Sequence, residues 1–123
     1  NAMAADFVLE IFKIIRGYGG AAVCATQDLN DFFALEGGKY GRAILNNSRL
    51  KVVLPLEEEE IGRVQEVMGL SDEEAIQISR NSRGEGLLCA GRNRISVSFH
   101  ATEKEKYLIT TSREDLEQRI GGV

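Results

Sequence analysis

Tryptophan is absent from the 123 residues, histidine and proline occur once each, and cysteine occurs twice. Two cysteines, Cys24 and Cys89, are too few for a disulfide scaffold. With a single histidine they also fall short of a zinc site, which takes four protein ligands, or three and a water. A basic excess is missing too, because 19 acids against 15 bases leave a net charge of −4. That balance argues against a self-sufficient electrostatic grip on DNA or on an anionic membrane. No apolar run approaches the roughly 18 to 20 residues that a membrane-spanning helix requires. No basic-plus-apolar signal segment opens the chain. What is present is ordinary for one globular domain: 43% hydrophobic residues, 28% charged and 13 glycines.

Asn1-Ala2 before Met3 reads as the residue of a cleaved purification tag, so residues 1–3 are set apart from the fold. The chain then enters a helix directly, as if cut from something longer. From Ala4 to Arg16, Phe7, Val8, Ile11, Phe12, Ile14 and Ile15 recur at helical spacing, with Gly17 as the expected stop. Ala21 to Ala25 is apolar without alternation, which predicts a strand covered on both faces. Asp28–Phe33 and Tyr40–Asn46 read as short helices around a loop at Glu36-Gly37-Gly38, and Leu50–Leu54 reads as a strand closed by Pro55. Glu57 to Glu60 opens a helix that ends at Gly69, and Ser71-Asp72-Glu73-Glu74 has the spacing of a capping box. Leu87–Ala90 and Ile95–Phe99, around Gly91-Arg92-Asn93-Arg94, predict a β-hairpin. Thr102 and Ser112 could each cap a short helix, and Gly121-Gly122-Val123 should fray. Strands separated by helices imply an α/β fold, mostly parallel, with the hairpin adding antiparallel strands at one edge.

Ligands of an open α/β sheet bind at the carboxyl ends of its strands, which points to Thr26, Gln27 and Asp28. A glutamine there can orient a water or contact a phosphate oxygen; the plainer reading is that Thr26 or Asp28 caps the next helix. Arg16 could offer its planar guanidinium to a phosphate or serve as a surface charge. The glycine-rich stretches fail as a phosphate loop. Gly38-Lys39 is followed by Tyr40, and Phe33 stands where the first glycine belongs. Glu57 to Glu60 reads as a solvated helix start, because consecutive residues point around the helix. Cys24 and Cys89 read as small hydrophobes, and His100 has no acid or thiol near it in sequence. Arg83-Gly84-Glu85-Gly86 suggests unusual backbone angles or the close approach of another chain.

Taken in order, several segments resemble a known family. Ile15-Arg16-Gly17-Tyr18-Gly19-Gly20, followed by Ala25-Thr26-Gln27-Asp28-Leu29-Asn30-Asp31-Phe32, is similar to the stretch after the Walker B strand in conjugative and type IV secretion traffic ATPases. Gly41-Arg42-Ala43-Ile44-Leu45-Asn46-Asn47-Ser48 looks like their "iLnNs" segment. Glu57–Ile61, Leu70–Glu74 and Arg83–Leu88 continue the resemblance up to Thr111. It is to a TraC/TraE-like, VirB-class member of the HerA–FtsK branch of P-loop ATPases.

The resemblance implies that residues 4–111 are the C-terminal part of a RecA-like ATPase domain and 112–123 a C-terminal helix and tail. It implies ATP and Mg2+ as cofactors of the parent, and a homo-hexamer at the cytoplasmic face of the inner membrane. There it would work with other proteins of a plasmid-type transfer apparatus. It places Gln27 near the γ-phosphate and its attacking water. It makes Arg16 a nucleotide-contacting or trans-acting arginine, although Gly17 replaces the family's usual lysine; Arg42 and Arg83 are rivals for an interface role. Thr26, Asp28, Gly84, Glu85 and Gly86 would support them, and no metal ligand is expected. The family's Walker A lysine and Walker B acids would precede residue 1, so the 123 residues alone are expected to be inactive and to bind no nucleotide tightly. No basic stripe suggests direct DNA binding. The alternative is a non-enzymatic α/β protein-interaction module of a transfer apparatus.

Overall fold

The computed structural model describes residues 2–110 and 112–121. Asn1 of the expected tag remnant, Thr111 at the expected domain end, and Gly122-Val123 of the expected fraying tail lie outside the described residues. Helix α1 (Ala2–Ile14) tightens into a 3-10 turn over Ile15–Tyr18. Gly19, at φ 72°, stops it by donating to the Arg16 and Ile15 carbonyls; the stop is two residues later than Gly17, which lies inside the turn. After α2 (Leu29–Phe32) and a 3-10 turn at Leu35–Gly38 comes α3 (Lys39–Asn47). Leu9 of α1 packs against Tyr40 and Ile44 of α3, with Ala5, Phe12, Phe32 and Ala43 around them. The Tyr40 hydroxyl donates to the Asp6 carboxylate, and that hydrogen bond, with burial and the carboxylate's charge behind it, holds the phenol above its ordinary pKa.

The larger core belongs to the second half. Strand β1 (Leu50–Val53) is followed by α4 (Glu58–Met68), α5 (Asp72–Arg80), β2 (Glu85–Ala90) and β3 (Asn93–Ser98). Gly69, at φ 65°, ends α4 where expected, and the Ser71 hydroxyl caps α5 by accepting from the Glu74 amide at 3.1 Å. Val53, Leu87 and Cys89 of the sheet bury against Ile61 and Val64 of α4, Leu70, and Ala75 and Ile78 of α5. Gly86 admits the close approach of β1: a Cβ there would lie 2.8 Å from the Val53 carbonyl.

Two expectations about the sheet are corrected. Its order is β1-β2-β3 and both pairings are antiparallel, with Leu50 opposite Ala90 and Glu85 opposite Ser98. A single crossover helix returns a chain parallel to its start. The connection from β1 to β2 holds two helices, α4 and α5, and the chain re-enters running the other way. The second correction concerns 21–25, which form no strand; Val23 is 93% exposed. An apolar strand covered on both faces needs paired neighbours, and no described strand pairs with these residues.

The sheet's second face is uncovered. Leu50, Val52, Leu54 and Ile95 are all exposed there, and the register aligns Val52, Leu88 and Ile95 across the three strands. Beyond the sheet, α6 (Glu103–Ile109) starts at a capping box between Thr102 and Glu105, and α7 (Arg113–Gly121) follows. The chain exposes 9629 Å² in all. A compact protein of 13.5 kDa exposes about 6,500 Å². The α/β fold is therefore an open one.

Candidate functional site

The Thr26-Gln27-Asp28 turn is held by its own flanking side chains. The Thr26 hydroxyl donates to the Asp28 carbonyl at 3.0 Å and accepts from the Asp28 amide at 3.3 Å. The Asp28 carboxylate then caps α2, accepting from the Asn30 amide at 2.7 Å. The plainer reading of Thr26 and Asp28 thus holds, and it leaves Gln27 between them. Gln27 is exposed, and its carboxamide makes no hydrogen bond among the described residues.

Helix α2 is one turn long and is braced from α4. Leu29 packs on the larger core, and its amide donates to Glu60 Oε1 at 3.4 Å. Arg63 Nη1 donates to Asn30 Oδ1 at 2.6 Å, and its guanidinium carbon lies 5.7 Å from the centre of the Phe33 ring. Glu60 therefore departs from the expectation of a purely solvated acidic run: Glu57, Glu58 and Glu59 are exposed, but Glu60 turns toward the candidate site. Sequence reading missed Asn30, Glu60 and Arg63 as supports. Their partners lie 31 and 33 positions away, and nothing local marks such a pairing.

The three arginines separate. Arg42 Nη2 donates to the Gly37 carbonyl at 2.7 Å, and Nη1 fills the space a Cβ on Gly38 would need. It ties down a run of left-handed residues, Glu36, Gly37 and Gly38, at φ 51°, 62° and 88°. Arg16 and Arg83 are exposed, and their guanidiniums make no hydrogen bond or ion pair among the described residues. Around Arg83 the glycines have structural work. Gly84, at φ 88°, accepts from the Phe99 amide at 2.7 Å, and the Glu85 carboxylate accepts from the Ser82 amide at 3.2 Å. Gly86 carries the close approach to β1. The expected unusual angle and tight approach are both there, and the approaching chain is the protein's own sheet.

Chemically, the turn offers a carboxamide that both donates and accepts, and the surface offers two uncommitted guanidiniums. The sequence holds no Gly-x-x-x-x-Gly-Lys-Ser/Thr phosphate loop beside them, so the residues described fit a share of a nucleotide site rather than a whole one. Among the described residues no group of three or more His, Cys, Asp or Glu could hold a metal ion. No described helix is long and apolar enough to cross a membrane.

The model of the TraG P-loop domain family matches residues 1–117. Among solved structures, VirB4 of Thermoanaerobacter pseudethanolicus superposes with a TM-score of 0.77 and 34% identity over 84% of this chain. The match spans 28% of that longer chain. No curated protein matches significantly. Sequence match and shared fold agree over nearly all of these residues: the chain belongs to the TraG P-loop domain family.

Proposed function

We propose that this chain is the C-terminal part of a RecA-like motor domain in an ATPase that energises conjugative transfer or type IV secretion. The observation that carries the reading is the braced, solvent-facing turn that presents Gln27 with its carboxamide uncommitted. When ATP and Mg2+ are bound by the parent, they supply the phosphoryl group and neutralise its charge. Gln27 would then orient the attacking water, its carboxamide oxygen accepting a hydrogen bond from the water while its NH2 donates toward the γ-phosphate. Thr26 and Asp28 fix the turn, and Arg16 or Arg83, rather than the tethered Arg42, reaches phosphate across a subunit boundary.

The same reading accounts for the open fold. In the parent, residues 21–25 become a strand of a mostly parallel sheet, and upstream polypeptide covers the apolar face at Val52 and Ile95. The parent works as a homo-hexamer beside other apparatus proteins at the inner face of the cell membrane. These residues make no direct contact with DNA, and alone they hydrolyse no ATP.

The test is Gln27→Ala in the full-length protein. It should lower kcat by about a hundredfold or more, as loss of a water-orienting or charge-stabilising group does, and leave nucleotide affinity largely intact. An unchanged kcat overturns the assignment. Sequencing the coding DNA upstream of Met3 tests the rest. An open frame with Gly-x-x-x-x-Gly-Lys-Ser/Thr and a strand ending in Asp-Glu supports the motor; a stop codon and ribosome-binding site support the interaction module instead.

A further inference from the structure

We infer that Arg63, assisted by Glu60, is a positioning residue for Gln27, setting the angle at which helix α2 presents the catalytic turn. The inference rests on the reading of Gln27 given above. A helix of four residues such as α2 cannot hold itself, since nucleation alone outweighs its few hydrogen bonds. Its orientation must be imposed by whatever grips it from outside, and that grip comes from α4. Arg63 reaches both ends of α2, the Asn30 carboxamide in the first turn at 2.6 Å and the Phe33 ring at the C-cap, 5.7 Å from the guanidinium carbon. Glu60, one turn earlier on α4, takes the Leu29 amide.

The base of this grip is itself fixed. The far end of α4 is tied to β3, where Arg94 donates to the Met68 and Gly69 carbonyls at 3.2 and 3.3 Å. Helix α4 is thus a strut of eleven residues, anchored to the sheet at one end and holding α2 at the other. Asp28 joins the two parts, because the carboxylate that caps α2 belongs to the residue after Gln27. A rotation of α2 therefore swings Gln27. A surface-charge role for Arg63 predicts none of this, since an exposed charge has no preferred partner and no effect on a turn 36 positions away in sequence.

Two measurements test the inference. In the 123-residue chain, Arg63→Gln should shift the Asn30 side-chain amide and the Leu29 and Gln27 backbone amides in 1H–15N spectra, with the hairpin resonances unmoved. Unmoved Asn30 and Gln27 signals overturn it. In the full-length protein, Arg63→Gln should lower kcat by about tenfold with KM within about twofold, as misplacement of a reacting group does. Arg63→Gln combined with Gln27→Ala should be no slower than Gln27→Ala alone. Asn30→Asp, which keeps the acceptor, should retain the parent kcat, and Asn30→Ala should reproduce the loss should Arg63→Gln fail to fold. A slow Gln27→Ala beside Arg63→Gln at the parent rate overturns the positioning role and leaves Gln27 standing. Gln27→Ala at the parent rate removes both.

Discussion

Arg94 Nη1 donates to both carboxylate oxygens of Glu74, at 3.0 and 2.9 Å, linking β3 to α5, while the same guanidinium holds the Met68 and Gly69 carbonyls at the end of α4. Both side chains are only about a quarter exposed. The ion pair is the smaller part of this junction, because the carbonyls lose their partner only when the arginine goes. Arg94→Ala should cost about 1–3 kcal/mol and Glu74→Gln about 0.5 kcal/mol in urea unfolding followed by circular dichroism. Equal losses would mean that the charge pair carries the junction.

Two glycines in helices should respond to alanine with opposite signs. A Cβ on Gly41 would lie 2.6 Å from the Phe32 carbonyl and 2.8 Å from the Phe33 ring, and backbone cannot give way there. Gly41→Ala should destabilise by about 1–3 kcal/mol. Gly62 in α4 faces open space, so Gly62→Ala should stabilise by about 0.5–1 kcal/mol. Thermal midpoints moving in the same direction would contradict this packing.

The two thiols should differ in reactivity. Cys24 is exposed, whereas Cys89 is buried beneath α4 and α5. Burial pushes the Cys89 thiol up, and nearby Arg94 and Lys51 only partly offset that. A thiol-reactive disulfide reagent should label Cys24 promptly and Cys89 only as the chain unfolds. Rapid labelling of Cys24→Ser would show that the larger core opens readily.

At the start of α6, the Thr102 amide and hydroxyl hold the Glu105 carboxyl below its ordinary range, the amide being the larger influence at 2.7 Å. A carboxyl depressed in the folded state stabilises above its unfolded pKa, and that support fades as pH falls through the folded value. Acidification below the ordinary carboxylate range should therefore weaken the capping box of α6. Carbon-detected titration should find Glu105 among the lowest glutamates, and Thr102→Ala, which removes the hydroxyl but keeps the amide, should raise it only part of the way.

Features written in neighbouring residues were legible in the sequence. Gly69 stopping α4, Ser71 capping α5, Asp28 capping α2 and the turn at Gly91-Arg92 each depend on contacts within a few positions. Pairing across the chain was not. The direction of β1 depends on how α4 and α5 together return the chain, and hydrophobic pattern does not encode that. The strand expected at 21–25 has the right composition, but a strand exists only beside another, and its partners are not among the described residues. In the candidate site the Thr26-Gln27-Asp28 turn was legible as local chemistry. Its support by Arg63 was not, because a lone arginine on an acidic helix carries no mark of the asparagine it will meet 33 positions earlier.

The antiparallel register has a consequence for synthesis. Leu50 pairs with Ala90 and Val53 with Leu87, so β1 leaves the ribosome long before β2, the strand it pairs with. At about 5–20 residues per second, that interval is on the order of two to eight seconds. Throughout it, Leu50, Val52 and Val53 form an apolar ribbon open to other nascent chains. Within the seven residues emerging behind it, 54–60, are Pro55 and four glutamates, which resist strand stacking by backbone shape and by repulsion. The acidic start of α4 thus acts as an escort for β1 until the hairpin arrives.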